Sequence, residues 1–90
     1  MTRQELDEYC DAHEIEMLVA DGHDNAILGV VRRFDQTFVL YNKATVIKNL
    51  LDNGMTEEQA FEYFEFNISG AWMGDHTPAY LEDDGSKVLP

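Results

Sequence analysis

Leu6, Tyr9, Cys10 and His13 recur at steps of three and four, the spacing of one helix face. They predict a helix from Arg3 to about His13. Thr2 is placed to cap it, Glu5 to close a capping box, and Met1 and Leu6 to staple across the cap. The other faces carry Glu5, Asp7, Glu8 and Asp11. At Ile15 the period changes to two: Ile15, Met17 and Val19 alternate with Glu16, Leu18 and Ala20, which predicts a strand over 15–20. Asp21-Gly22-His23-Asp24-Asn25 is dense in turn formers and ends it. The runs Ala26 to Phe34 and Thr37 to Tyr41, broken by Asp35-Gln36, predict an antiparallel hairpin. Gly29 inside the first arm marks a bulge or a close approach.

Helical spacing returns at Val46, Ile47, Leu50 and Leu51. A second helix is expected over 43–53, capped by Asn42 and stopped by Asn53-Gly54. Thr56 and Gln59 then form another capping box, with Met55 stapling onto Ala60. Phe61, Phe64, Ile68 and Trp72 follow as the inward stripe of a third helix, with Glu58, Glu62 and Glu65 on the opposite face. Ser69-Gly70 ends or kinks this helix, with Gly74 the firmer stop, and residues 77–82 leave room for a last short edge strand. The predicted fold is α+β: a small antiparallel sheet of about three strands covered by three helices, in the order α-β-β-β-α-α with that short C-terminal strand as an addition. One domain over 1–82 and a flexible tail over 83–90 are expected.

Composition narrows the function. Ninety residues and 10.3 kDa support one modest core and exclude a multidomain enzyme. A hydrophobic fraction of 44% excludes wholesale disorder. Eighteen Asp and Glu against six Lys and Arg give −12, which argues against direct binding to nucleic acid or to an anionic membrane surface. The single cysteine, Cys10, excludes an internal disulfide and a cysteine-based zinc site. The apolar run Ala26 to Val31 is too short to cross a membrane, and Met-Thr-Arg-Gln-Glu lacks a signal-peptide core. A cytoplasmic location is expected.

The charge is segregated. Residues 1–31 hold eight carboxylates and one base, Arg3; residues 32–48 hold Arg32, Arg33, Lys43 and Lys48 against Asp35 alone; 49–86 hold nine carboxylates and no base. Charge runs are ordinarily solvated faces. At this density, on a domain with a radius of gyration of about 12 Å, carboxylates on helical ridges can approximate phosphate spacing. Such a surface suits the basic cleft of a nucleic-acid-handling protein.

No motif points to catalysis, and no catalytic residue, cofactor or metal ligand is assigned. Asp21, His23 and Asp24, joined by His76, offer the ingredients of a cation site. They lack the length and terminal Glu of a calcium loop, and turn chemistry accounts for them. Cys10 sits on an inward stripe of an acidic helix, where thiols are unreactive. Ser69 and Ser86 have no histidine nearby in sequence. The aromatic cluster exceeds one helix face, so Tyr63 and Phe66 must point elsewhere. Core packing is the default for a domain this small, and a patch of Tyr63, Phe66 and Trp72 is the candidate set of interface anchors.

Gly54-Met55-Thr56-Glu57-Glu58-Gln59-Ala60, followed by Glu62-Tyr63-Phe64-Glu65-Phe66-Asn67-Ile68 and Gly70-Ala71-Trp72, resembles a family of short acidic proteins encoded by bacteriophages and prophages. Asp21-Gly22, Asp24, Ala26-Ile27 and Gly29-Val30 extend the likeness over most of 1–81. Gln59 stands where that family commonly has Glu, a neutral change for capping. The resemblance implies a phage context and transfers no site residue. The expected function is that of a non-enzymatic inhibitor binding a host nucleic-acid-handling or defence protein, of DNA-mimic, anti-CRISPR or antirestriction type. The alternatives are a self-associating scaffold protein, including a homodimer, and a small metal-binding domain.

Overall fold

A computed structural model describes residues 1–70, 74 and 76–82. Helix α1 spans Arg3–His13, strand β1 Ile27–Arg33, strand β2 Gln36–Asn42, helix α2 Lys43–Asp52, helix α3 Glu57–Tyr63 and strand β3 Ala79–Leu81. A short 3₁₀ turn, Asp24–Ala26, leads into β1, and a π-helical segment, Phe64–Ser69, continues α3. The fold is α+β, with three helices and a three-stranded sheet in the order β1-β2-β3.

Local capping chemistry sets the helix boundaries. Thr2 and Glu5 exchange both bonds of a capping box, as do Thr56 and Gln59, and the Asn42 side chain accepts the Thr45 N–H. Each closure satisfies N–H groups that a helix start leaves open. At the end of α2, the Gly54 N–H reaches the Leu51 carbonyl and the Met55 N–H that of Leu50. This is a Schellman stop with Gly54 at φ +99°. Helix α1 ends the same way, through Glu14 to Asp11 and Ile15 to Cys10, but Glu14 carries the positive φ of 54°.

Three expectations need correction. Residues 15–20 are not a strand; the third strand is the C-terminal one. Their alternation reflects one-sided burial, with Met17 and Val19 packed on the core. The Ala20 N–H bonds to the Tyr41 hydroxyl at 2.8 Å rather than to a ladder. The sheet is mixed, because β3 pairs parallel to β2. The helices between them return the chain to its starting end, so the strands run the same way. Finally, Arg33 pairs with Gln36, which makes Phe34-Asp35 the hairpin turn and removes Phe34 from the strand. The register shift between Ile27 and Gly29 is a bulge, and nothing lies within 4 Å of a Cβ built on Gly29.

The core gathers Leu6, Ile27, Val39, Tyr41, Val46, Ile47, Leu50, Ala60 and Phe64. Tyr80 joins its two ends. Its ring stacks on Tyr41 at 5.7 Å and meets the edge of Phe64 at 5.1 Å, so β3 is held to both β2 and the π-helical turn. Lys43 closes the same corner, bonding Glu82 at 2.7 Å and pairing with Glu65 at 3.7 Å above the Phe64 ring.

Candidate functional site

The acidic helix face and its aromatics depend on how α3 ends. Ala60, Phe64 and Ile68 make the inward stripe, and Phe61, expected to join it, is 48% exposed. The wider turn over Phe64–Ser69 changes which residues face out after Tyr63. Gly70 makes that turn sterically feasible: a Cβ on it would lie 2.6 Å from the Glu65 carbonyl oxygen. Phe66 is consequently on the surface at 79% exposure, and Tyr63, at the end of α3 itself, is exposed too. Trp72, the third candidate anchor, lies outside the described residues. Glu58 and Glu62 are exposed one turn apart on α3. Glu65 leaves that ridge for Lys43, and Lys43 answers it with a pKa above the usual lysine value, set chiefly by its hydrogen bond to Glu82.

Tyr63 and Phe66 border a groove of about 450 Å³ together with Met55, Gln59, Glu62 and Asn67. Tyr63 and Asn67 are shared with a second hollow of about 260 Å³ that Leu18, Val19, Asp21 and His23 also line. Leu18 and Val19 in turn border a third, of about 840 Å³, against Leu6, Asp7, Cys10, Asp11 and Glu16. The three hollows share walls and form one grooved face. Its described borders carry Asp7, Asp11, Glu16, Asp21 and Glu62, and Arg3 is the one Lys or Arg among them. Arg3 is already bonded to Asp7 and Asp24. The face therefore combines apolar and aromatic side chains with carboxylates.

The turn singled out for a cation is built otherwise. His23 is buried, and its Nδ1 accepts from Asn49 Nδ2 at 3.0 Å. Asn49 and Asn25 exchange amide bonds at 2.8 and 3.0 Å. That arrangement places the His23 proton on Nε2, and burial pushes its pKa below the ordinary histidine value, against a smaller opposing pull from Asp24. Asp24 faces Arg3. His76 is bonded elsewhere, its Nδ1–H donating to the Thr37 carbonyl at 2.7 Å. Among the described residues no group of three His, Cys, Asp or Glu side chains is placed to hold a metal ion. The Cys10 thiol is pushed above its ordinary pKa by burial and then by Asp7 and Asp11.

The hairpin tip carries a feature that the sequence pattern does not reveal. Phe34 is 89% exposed and occupies the first turn position at φ 55°. Positive φ at that position alone is the type II′ pattern, which favours Gly, and left-handed backbone costs a side-chain-bearing residue about 1–2 kcal/mol. The Arg33 guanidinium sits 5.9 Å from the Phe34 ring. Arg32, Arg33 and Asp35 are exposed as well, so the tip carries two cations, one carboxylate and an aromatic ring. Aromatic residues are not turn formers, and only the Arg32-Arg33 break in the apolar run hints at it.

In comparisons with known proteins, no family model matches this chain, and neither a curated protein nor a solved structure matches it. No helix among the described residues is long and apolar enough to cross a membrane.

Proposed function

We propose that this chain is a small non-enzymatic interaction protein of phage type. It binds a host nucleic-acid-handling or defence protein through its acidic grooved face and occupies the cleft that nucleic acid would enter. The supporting observation is that face, where five carboxylates and one paired arginine stand among apolar and aromatic side chains. Concentrated single-sign charge steers a basic cleft onto it and makes association salt-sensitive, while Tyr63 and Phe66 supply aromatic anchors. A phage-type reading of residues 54–72, if carried over, would put this encounter inside the host cell, and it supports the choice of a host protein as target.

The test is capture from a bacterial lysate with tagged protein, comparing wild type with Glu58→Lys/Glu62→Lys. Glu65 is left unchanged because its reversal would set two cations together beside Phe64. Wild type is expected to retain an enzyme that itself binds nucleic acid at about 0.1 M salt and to release it at about 0.5 M, where screening shortens the reach of charge. The double variant, which reverses Glu62 on that face and Glu58 beside it, is expected to retain markedly less and to release it at lower salt. Equal capture by both proteins would remove the electrostatic mechanism.

A further inference from the structure

We propose that the Arg32-Arg33-Phe34 tip of one copy docks into the groove between Met55, Tyr63 and Phe66 of a second copy. Three observations carry this beyond the target-binding reading. The first is conformational: a bulky aromatic is held at 89% exposure in a backbone geometry suited to glycine, and such strain collects where a side chain has work outside its own fold. The second is charge. In a chain of net charge −12, Arg3 and Lys43 each contact two carboxylates. Arg32 and Arg33 make no ion pair among the described residues, which leaves two adjacent unpaired cations at the hairpin tip.

The third is complementarity. The α3 groove offers apolar walls for one ring and Glu62 at its edge, with Glu58 one turn away. The two arginines that precede Phe34 suit Glu62 at the edge of the aromatic cleft and Glu58 beyond it, with Asp35 the one like charge at the tip. Overall repulsion between two acidic copies does not forbid this, since charges farther apart than about 8 Å are largely screened at physiological salt. Tip and groove are different surfaces, so the contact is head-to-tail and continues past a dimer unless it closes into a ring. A copy seated there covers Tyr63 and Phe66, so self-association and target binding exclude each other.

Sedimentation of the purified chain tests this without any target, so its failure would leave the target-binding reading standing. From about 10 µM to about 1 mM, the range suited to so small a contact, the average mass is expected to rise above the monomer at physiological salt. Phe34→Gly is expected to weaken association at least tenfold while melting no lower than wild type, because glycine relaxes the turn. Arg32→Glu/Arg33→Glu and Glu58→Lys/Glu62→Lys are each expected to be monomeric. Mixed, they are expected to associate again, since each acidic groove then meets a basic tip and each basic groove an acidic one. A wild type that stays monomeric throughout, or a Phe34→Gly chain that associates like wild type, would overturn the proposal.

Discussion

The Glu65 carbonyl oxygen lies where the side chain of Gly70 would begin, 2.6 Å from a Cβ built there. The φ of Gly70 is an ordinary −81°, so glycine is required by contact and not by conformation. Gly70→Ala must move backbone in the turn that seats Phe64 and projects Phe66. It is expected to lower stability by about 2–3 kcal/mol in denaturant unfolding. Gly29→Ala, which meets nothing within 4 Å, is the matched control and should lose nothing.

Glu14 holds the left-handed position of a Schellman stop at φ 54°. Glu14→Gly is expected to stabilise the chain by about 0.5–1 kcal/mol. Glu14→Ala removes the same charge and keeps the strained backbone. A melting comparison in which both variants gain equally would assign the effect to charge instead.

The Tyr41 hydroxyl is the partner of the Ala20 N–H at 2.8 Å. Tyr41→Phe leaves that amide unsatisfied beside the core, a loss of about 1–3 kcal/mol. Hydrogen exchange should report it locally, with the Ala20 amide losing protection while β1–β2 ladder amides change only with global stability.

His23 links folding to pH. Its folded pKa is depressed by burial, so the unfolded chain binds the proton more readily. The stabilisation is fully present above the unfolded value of about 6.5 and is lost as pH falls through the folded one. Protonation at Nδ1 would also set an N–H against the Asn49 amide donor. His23→Asn can retain an acceptor toward Asn49 without titrating. The stability difference between wild type and this variant should therefore shrink or reverse as pH drops below about 6.5. A constant difference across that range would contradict the assignment.

The helix starts and both capping boxes were legible because each depends on side-chain bonds within a few residues; the end of α3 was not, because its change to a wider turn at Phe64 has no such local signal. The hairpin was legible to within one residue. What escaped was non-local. The alternation from Ile15 to Ala20 is real, yet whether such a segment joins a sheet depends on what Tyr41 offers it across the fold. The direction of β3 depends on where two helices deliver the chain. Counting aromatics turned Tyr63 and Phe66 away from the Phe64 stripe but left core packing as their default. Their exposure, the departure of Glu65 toward Lys43 and that of Phe61 from the core follow from packing at α2 and the course of α3. Phe34 escaped because no local rule places an aromatic in that turn.

Displacement by nucleic acid is the most direct test of the acidic face as an occupant of a nucleic-acid cleft. With a host enzyme captured on immobilised wild-type protein, short duplex DNA is added at constant ionic strength. The account predicts that the duplex elutes the enzyme, with a saturating dose dependence and no ternary complex. An enzyme that stays on the protein while also binding the duplex would contradict it.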